Sequence, residues 1–172
     1  MLRAIKEQLK SLAQDEHKDF HVRLRKTVGK KATAILEERL KKVIVLMPDL
    51  VQRIHDYWRM QPEASSTKRL GSHLLSYLYL PKDLISEEDW GLFGYLDDAY
   101  MVAAVYERII EELSSCGFKV LAGDLALHED IKLYKRSIRI VIPNVCQKID
   151  KIIDDLSKGK NDSYISMAQE SA

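Results

Sequence analysis

Three carboxylates in one short stretch, Asp83, Asp97 and Asp98, are the side chains of this sequence most suited to chemistry. A hard cation such as Mg²⁺ is held by one or two carboxylates and by waters, so the trio fits a metal-dependent enzyme. Asp97 and Asp98 are neighbours in a helical pattern. Their side chains therefore leave the axis about 100° apart and do not converge on one point. One can face Asp83 across the loop between them while the other reaches solvent. The competing role is structural, with Asp83 capping the following turn and Asp97 or Asp98 accepting hydrogen bonds from loop N–H groups. Aspartates without other ligands favour the structural role, and neither a metal nor a cofactor is expected.

Other arrangements are weaker. His17 and His21 stand four apart on one helical face, a spacing that can chelate a transition metal. Lys18 occupies the place where a zincin pattern needs glutamate, and no third histidine follows nearby. Gly29-Lys30 resembles the end of a phosphate-binding loop, but Leu24 stands where the earlier glycine belongs and Lys31 where Ser or Thr belongs. No Gly-x-Ser-x-Gly elbow occurs, and no nucleophile has a base in its local context. Catalysis is not expected.

The stretch from Tyr77 to Asp98 reads YLYLPKDLISEEDWGLFGYLDD. Tyr77, Leu78, Pro81, Asp83, Leu84, Ile85, Gly94, Tyr95, Leu96, Asp97 and Asp98 fall in an order and spacing that resemble the core motif of the YkvA-like family, a bacterial domain of unknown function. Where that family continues with prolines after Asp-Leu-Ile, this chain has Ser86, Glu87, Glu88, Asp89 and Trp90. The resemblance implies a compact helical domain and no known activity. Its residues Pro81, Asp83, Gly94, Tyr95, Asp97 and Asp98 would form a helix–loop–helix corner.

The elements that position these residues follow from apolar spacing. Phe20, Leu24, Val28, Ala32, Leu36, Leu40, Val43 and Met47 recur at three- and four-residue steps, and the stripe continues through Leu50, Val51, Ile54 and Tyr57. Pro48 predicts a kink or a fresh helix start within it. Pro62 to Thr67 reads as a loop that ends in an N-cap, followed by a helix carrying Leu70, Leu74 and Tyr77. Ser86 to Asp89 resembles a capping box. A central helix then carries Tyr95, Val102, Tyr106, Ile109 and Leu113, with Gly117 as its C-terminal cap. A last stripe runs from Tyr134 to Leu156 across Pro143. From Lys158 the periodicity ends, and a disordered tail is expected. The predicted fold is all-α, a single domain over 1–157 made of five or six helices.

Composition sets the function class. A net charge of +1 argues against a nucleic-acid binder, and Cys116 and Cys146 show no metal or redox spacing. Two thiols expected to be buried and no signal-like apolar run give a cytoplasmic expectation. Charge is segregated. Arg23, Arg25, Lys26, Lys30, Lys31, Arg39, Lys41 and Lys42 cluster early, whereas Asp83 to Asp98 holds only carboxylates. The basic segment suits a solvated face or one partnered by the acidic stretch. Near the start, Leu2, Ile5, Leu9 and Leu12 form a narrow apolar stripe among Arg3, Lys6, Glu7 and Lys10. The stripe must be covered by its own domain, by a partner or by lipid. The expected function is a non-catalytic interaction or regulatory module. Its partner would be another protein or a second copy, with peripheral membrane contact as the rival.

Overall fold

The structure is a computed structural model that describes residues 2–15, 17–61, 65–78, 84–121 and 123–170. Among these residues there are nine α-helices and no strand: α1 (Leu2–Asp15), α2 (His17–Val28), α3 (Lys30–Arg59), α4 (Ser66–Leu78), α5 (Glu87–Trp90), α6 (Leu96–Ser115), α7 (Asp124–Val141), α8 (Pro143–Ser157) and α9 (Asp162–Glu170). A 3-10 turn at Gly91–Phe93 joins α5 to α6. The all-α class is as expected, but five or six helices is a miscount.

Backbone chemistry explains the miscount. The stripe from Phe20 onward looks continuous, yet Gly29 takes φ +80° and separates α2 from α3. Left-handed backbone of that kind is easy for glycine and ends a helical run without disturbing the apolar register. The two interior prolines behave oppositely. Pro48 does not start a new helix: it lies inside α3, which continues from Lys30 to Arg59. Pro143 does divide its stripe, as the first residue of α8, where its missing N–H costs nothing. The other omissions were α5, too short to show a period, and α9, placed where a disordered tail was expected. Met167 of α9 is buried, and Tyr164 sets its ring edge against His73 of α4 with centroids 4.9 Å apart. Those two side chains give the tail a reason to fold back.

α6 is the hub. From Leu96 to Tyr106 every residue is buried, as expected of a helix enclosed on all sides. α3, α4, α7 and α8 pack against it, while α1 and α2 lie on α3. Gly117 has φ +73°, and Phe118 N–H reaches the Leu113 carbonyl at 2.9 Å, which closes α6 with a left-handed cap. Just beyond that cap, Asp124 is fully buried at the start of α7. It receives Arg53 and the Tyr57 hydroxyl, while the Leu121 N–H donates to the Tyr57 oxygen at 2.8 Å. Burial, then the hydrogen bond to Asp124, pushes the Tyr57 hydroxyl up to about 12. Among the described residues no helix is long and apolar enough to cross a membrane.

Candidate functional site

Asp97 organises the corner. It is fully buried in the first turn of α6, and its Oδ2 accepts the Tyr77 hydroxyl at 2.9 Å and the Leu84 and Ile85 N–H groups at 3.1 Å each. One carboxylate thereby ties the last turn of α4 and the chain leading to α5 to the start of α6. A negative charge in a first helical turn also meets the positive end of the helix dipole. Pro81 and Asp83, two residues of the expected corner, lie outside the described residues.

The sequence expectation that the second carboxylate reaches solvent is corrected. Asp98 is buried and faces an apolar cavity instead. The helical offset of about 100° does separate the two side chains, but α1 and α3 cover the direction taken by Asp98.

Gly94 is explained by close approach, not by its dihedrals. Its φ is −59°, which any residue adopts. A Cβ there would lie 2.6 Å from Glu87 Cα, 2.8 Å from Glu87 N and 2.9 Å from Ser86 O. The missing side chain lets the turn before α6 press onto the first turn of α5. Ser86 caps α5 by accepting the Asp89 N–H at 3.3 Å.

The cavity measures about 480 Å³. Ile5 and Leu9 of α1 form one wall, with Met47, Pro48 and Val51 of α3 beside them. Leu75 and Leu78 of α4 face Tyr95, Asp98 and Val102 from the start of α6, and Glu87 of α5 lies at the same opening. Gln52 and His55 complete the lining. Two carboxylates, Glu87 and Asp98, border this space, and no Lys or Arg is among its described lining residues. A volume of this size, apolar with a few polar groups, is typical of a small-molecule site.

Two separately expected features therefore meet at one place. The corner contributes Tyr95 and Asp98, with Gly94 setting the position of Glu87, and the N-terminal stripe contributes Ile5 and Leu9. The stripe turns inward. Leu9 is only 2% exposed and Leu12 packs against the core, while Ile5 at the cavity wall stays 40% exposed. The side chain of Leu2 lies outside the described residues. Sequence reasoning missed Pro48, Val51, Leu75 and Leu78 as lining residues, since a core position and a cavity wall carry the same apolar signal.

The remaining candidates are placed elsewhere. Arg23 sits over the Trp90 ring, 4.7 Å from its centroid, and donates to the Asp89 carbonyl at 3.3 Å. The basic segment thus meets the acidic stretch within the same chain. Lys30 is exposed at the start of α3. His21 is tied to Glu37 of α3 through Nδ1 at 2.7 Å, and Lys41 reaches the same carboxylate at 3.0 Å. The side chain of His17 lies outside the described residues, so the two-histidine chelate has no described geometry.

No protein-family model matches the chain, and neither a curated protein nor a solved structure is similar to it.

Proposed function

We propose that this chain is a non-catalytic regulatory binding module of the YkvA-like type, and that its recognition site is the cavity between α1, α3, α4 and α6. The observation that carries the proposal is the lining: an apolar volume bordered by Glu87 and Asp98, with no Lys or Arg among its described residues. A guest that complements it has an apolar body and a positively charged end, an amphiphilic amine in chemical class. Burying the apolar body supplies affinity at roughly 25 cal/mol per Å², and the acidic border selects the sign of the head group. α1 supplies one wall, so an occupied cavity would hold α1 more firmly against α3. A change in α1 is then the signal passed to a partner protein or a second copy.

Asp97 supports a non-catalytic reading over a metal-dependent one, because Oδ2 already accepts three donors that fix the corner. The inward turn of Leu9 supports it over membrane docking, since burial has already taken part of the stripe that lipid would need.

Titration calorimetry with octylamine, octanol and octanoate tests the reading. Octylamine should bind saturably and octanoate at least about tenfold more weakly, a difference near 1.4 kcal/mol. Val51→Phe, which fills the cavity from α3, should abolish octylamine binding while circular dichroism stays helical. Equal binding of amine and carboxylate, or no saturable binding of any of the three, would overturn it.

A further inference from the structure

A second cluster lies farther along α6. Glu107 and Glu111 are four residues apart, so they project from one face of the helix. His128 of α7 points at the same place, and one ligand atom from each residue lies within 4.8 Å of the others. His128 is 8% exposed, and its buried Nε2 has no hydrogen-bond partner. Its separation from Glu111 Oε1 is 3.8 Å.

That distance is informative. An N–H···O hydrogen bond would close to about 2.7–3.2 Å. Two ligands of one tetrahedral zinc, each about 2.1 Å from the ion, stand roughly 3.4 Å apart. The pair is therefore too open for a hydrogen bond and close to the spacing of two metal ligands. The other ring nitrogen, Nδ1, faces Glu129 Oε1 at 3.9 Å. That contact is likewise beyond hydrogen-bond range, and the same Glu129 oxygen accepts from Lys132 at 3.0 Å. Lys135 engages Glu107 through Oε2, which leaves the second oxygen of that carboxylate for an ion. Both glutamates also border a polar cavity of about 290 Å³, which gives room for water in the remaining coordination positions.

We infer that Glu107, Glu111 and His128 form a binding site for a divalent transition-metal ion, of the borderline class that accepts imidazole and carboxylate together. Two carboxylates and a neutral imidazole balance the charge of the ion, and the remaining positions stay open to water. The site is independent of the amine-binding cavity, which uses the first turns of the same helix.

Chelator-treated protein titrated with zinc chloride decides the matter. One equivalent should bind, the melting temperature should rise, and Glu111→Gln and His128→Gln should each weaken binding at least tenfold. Glu111 is half-exposed, so Glu111→Gln tests the site even where His128→Gln lowers stability. Octylamine binding should be the same in both variants and the parent. No saturable equivalent of zinc, or one retained at full affinity by Glu111→Gln, overturns the inference.

Discussion

Gly94→Ala is the substitution whose effect the structure fixes most tightly. The new Cβ would lie 2.6 Å from Glu87 Cα, 0.8 Å short of the 3.4 Å at which ordinary contact begins. All three nearest atoms are backbone, so no side chain can swing away, and the first turn of α5 must move as a unit. Overpacking of this kind costs about 1–3 kcal/mol. Alanine restricts the unfolded chain relative to glycine and returns about 0.4–1 kcal/mol. The net loss is about 1–2 kcal/mol, or roughly 2–8 °C in melting temperature for a chain of this length. Gly71→Ala is the control. A Cβ there meets Ile54 and Trp58 side chains at 3.6–3.8 Å, an ordinary contact, inside α4. Alanine is the better helix former by roughly 0.5–1 kcal/mol, so this variant should be neutral or stabilised. Thermal unfolding followed by circular dichroism reads both. A Gly94→Ala protein as stable as the parent, or one that shifts in the same direction as Gly71→Ala, would refute the close-approach explanation. Because α5 carries Glu87 to the cavity, the same variant should also bind octylamine more weakly.

Asp97→Asn keeps one acceptor oxygen but removes the charge that holds Tyr77, Leu84 and Ile85. It should cost about 1.5–3 kcal/mol in chemical denaturation, and millimolar Mg²⁺ should leave parent stability unchanged. Arg53→Leu strands the fully buried Asp124, and the partial exposure of Arg53 reduces the usual penalty to about 2–3 kcal/mol, measurable in the same assay. Only one of the two thiols expected to be buried is so: Cys116 is exposed, and burial holds the Cys146 thiol up to about 12, so a thiol reagent at pH 8 should titrate only Cys116 in the folded protein and both cysteines in denaturant. Cys146 and Tyr57 both keep their protons longer folded than unfolded, starting from ordinary values of 9.0 and 10.0. Their stabilising contribution is complete below about pH 9 and should be lost as pH rises towards 12, which alkaline unfolding curves would read.

Much of the fold was legible because apolar spacing reports directly on helices that bury one face. The cap expected at the end of the 62–67 segment falls two residues earlier, at Ser65, whose Oγ accepts the Lys68 N–H at 3.2 Å, while Ser86 and Gly117 behave as local chemistry requires. Breaks that preserve the apolar register were not legible. Gly29 changes the chain direction without changing which residues are apolar, and Pro48 has the same local signal as Pro143 with the opposite outcome. The sequence singled out Asp97 and Asp98, but not the division of labour between them, because that depends on what α1 and α3 place above the helix. Glu107, Glu111 and His128 were invisible as a group for the same reason. They lie on two successive helices, and only the packing of α7 on α6 brings the imidazole to the glutamates.

Methyl-resolved NMR of the full chain during an octylamine titration tests the cavity most directly. The methyl groups of Ile5, Leu9, Val51, Leu75, Leu78 and Val102 should shift together and saturate at one equivalent, while those of Val22 and Ile35 on the basic face stay still. Shifts centred on Val22 and Ile35, or none at the six cavity residues, would contradict the assignment of the cavity as the binding site.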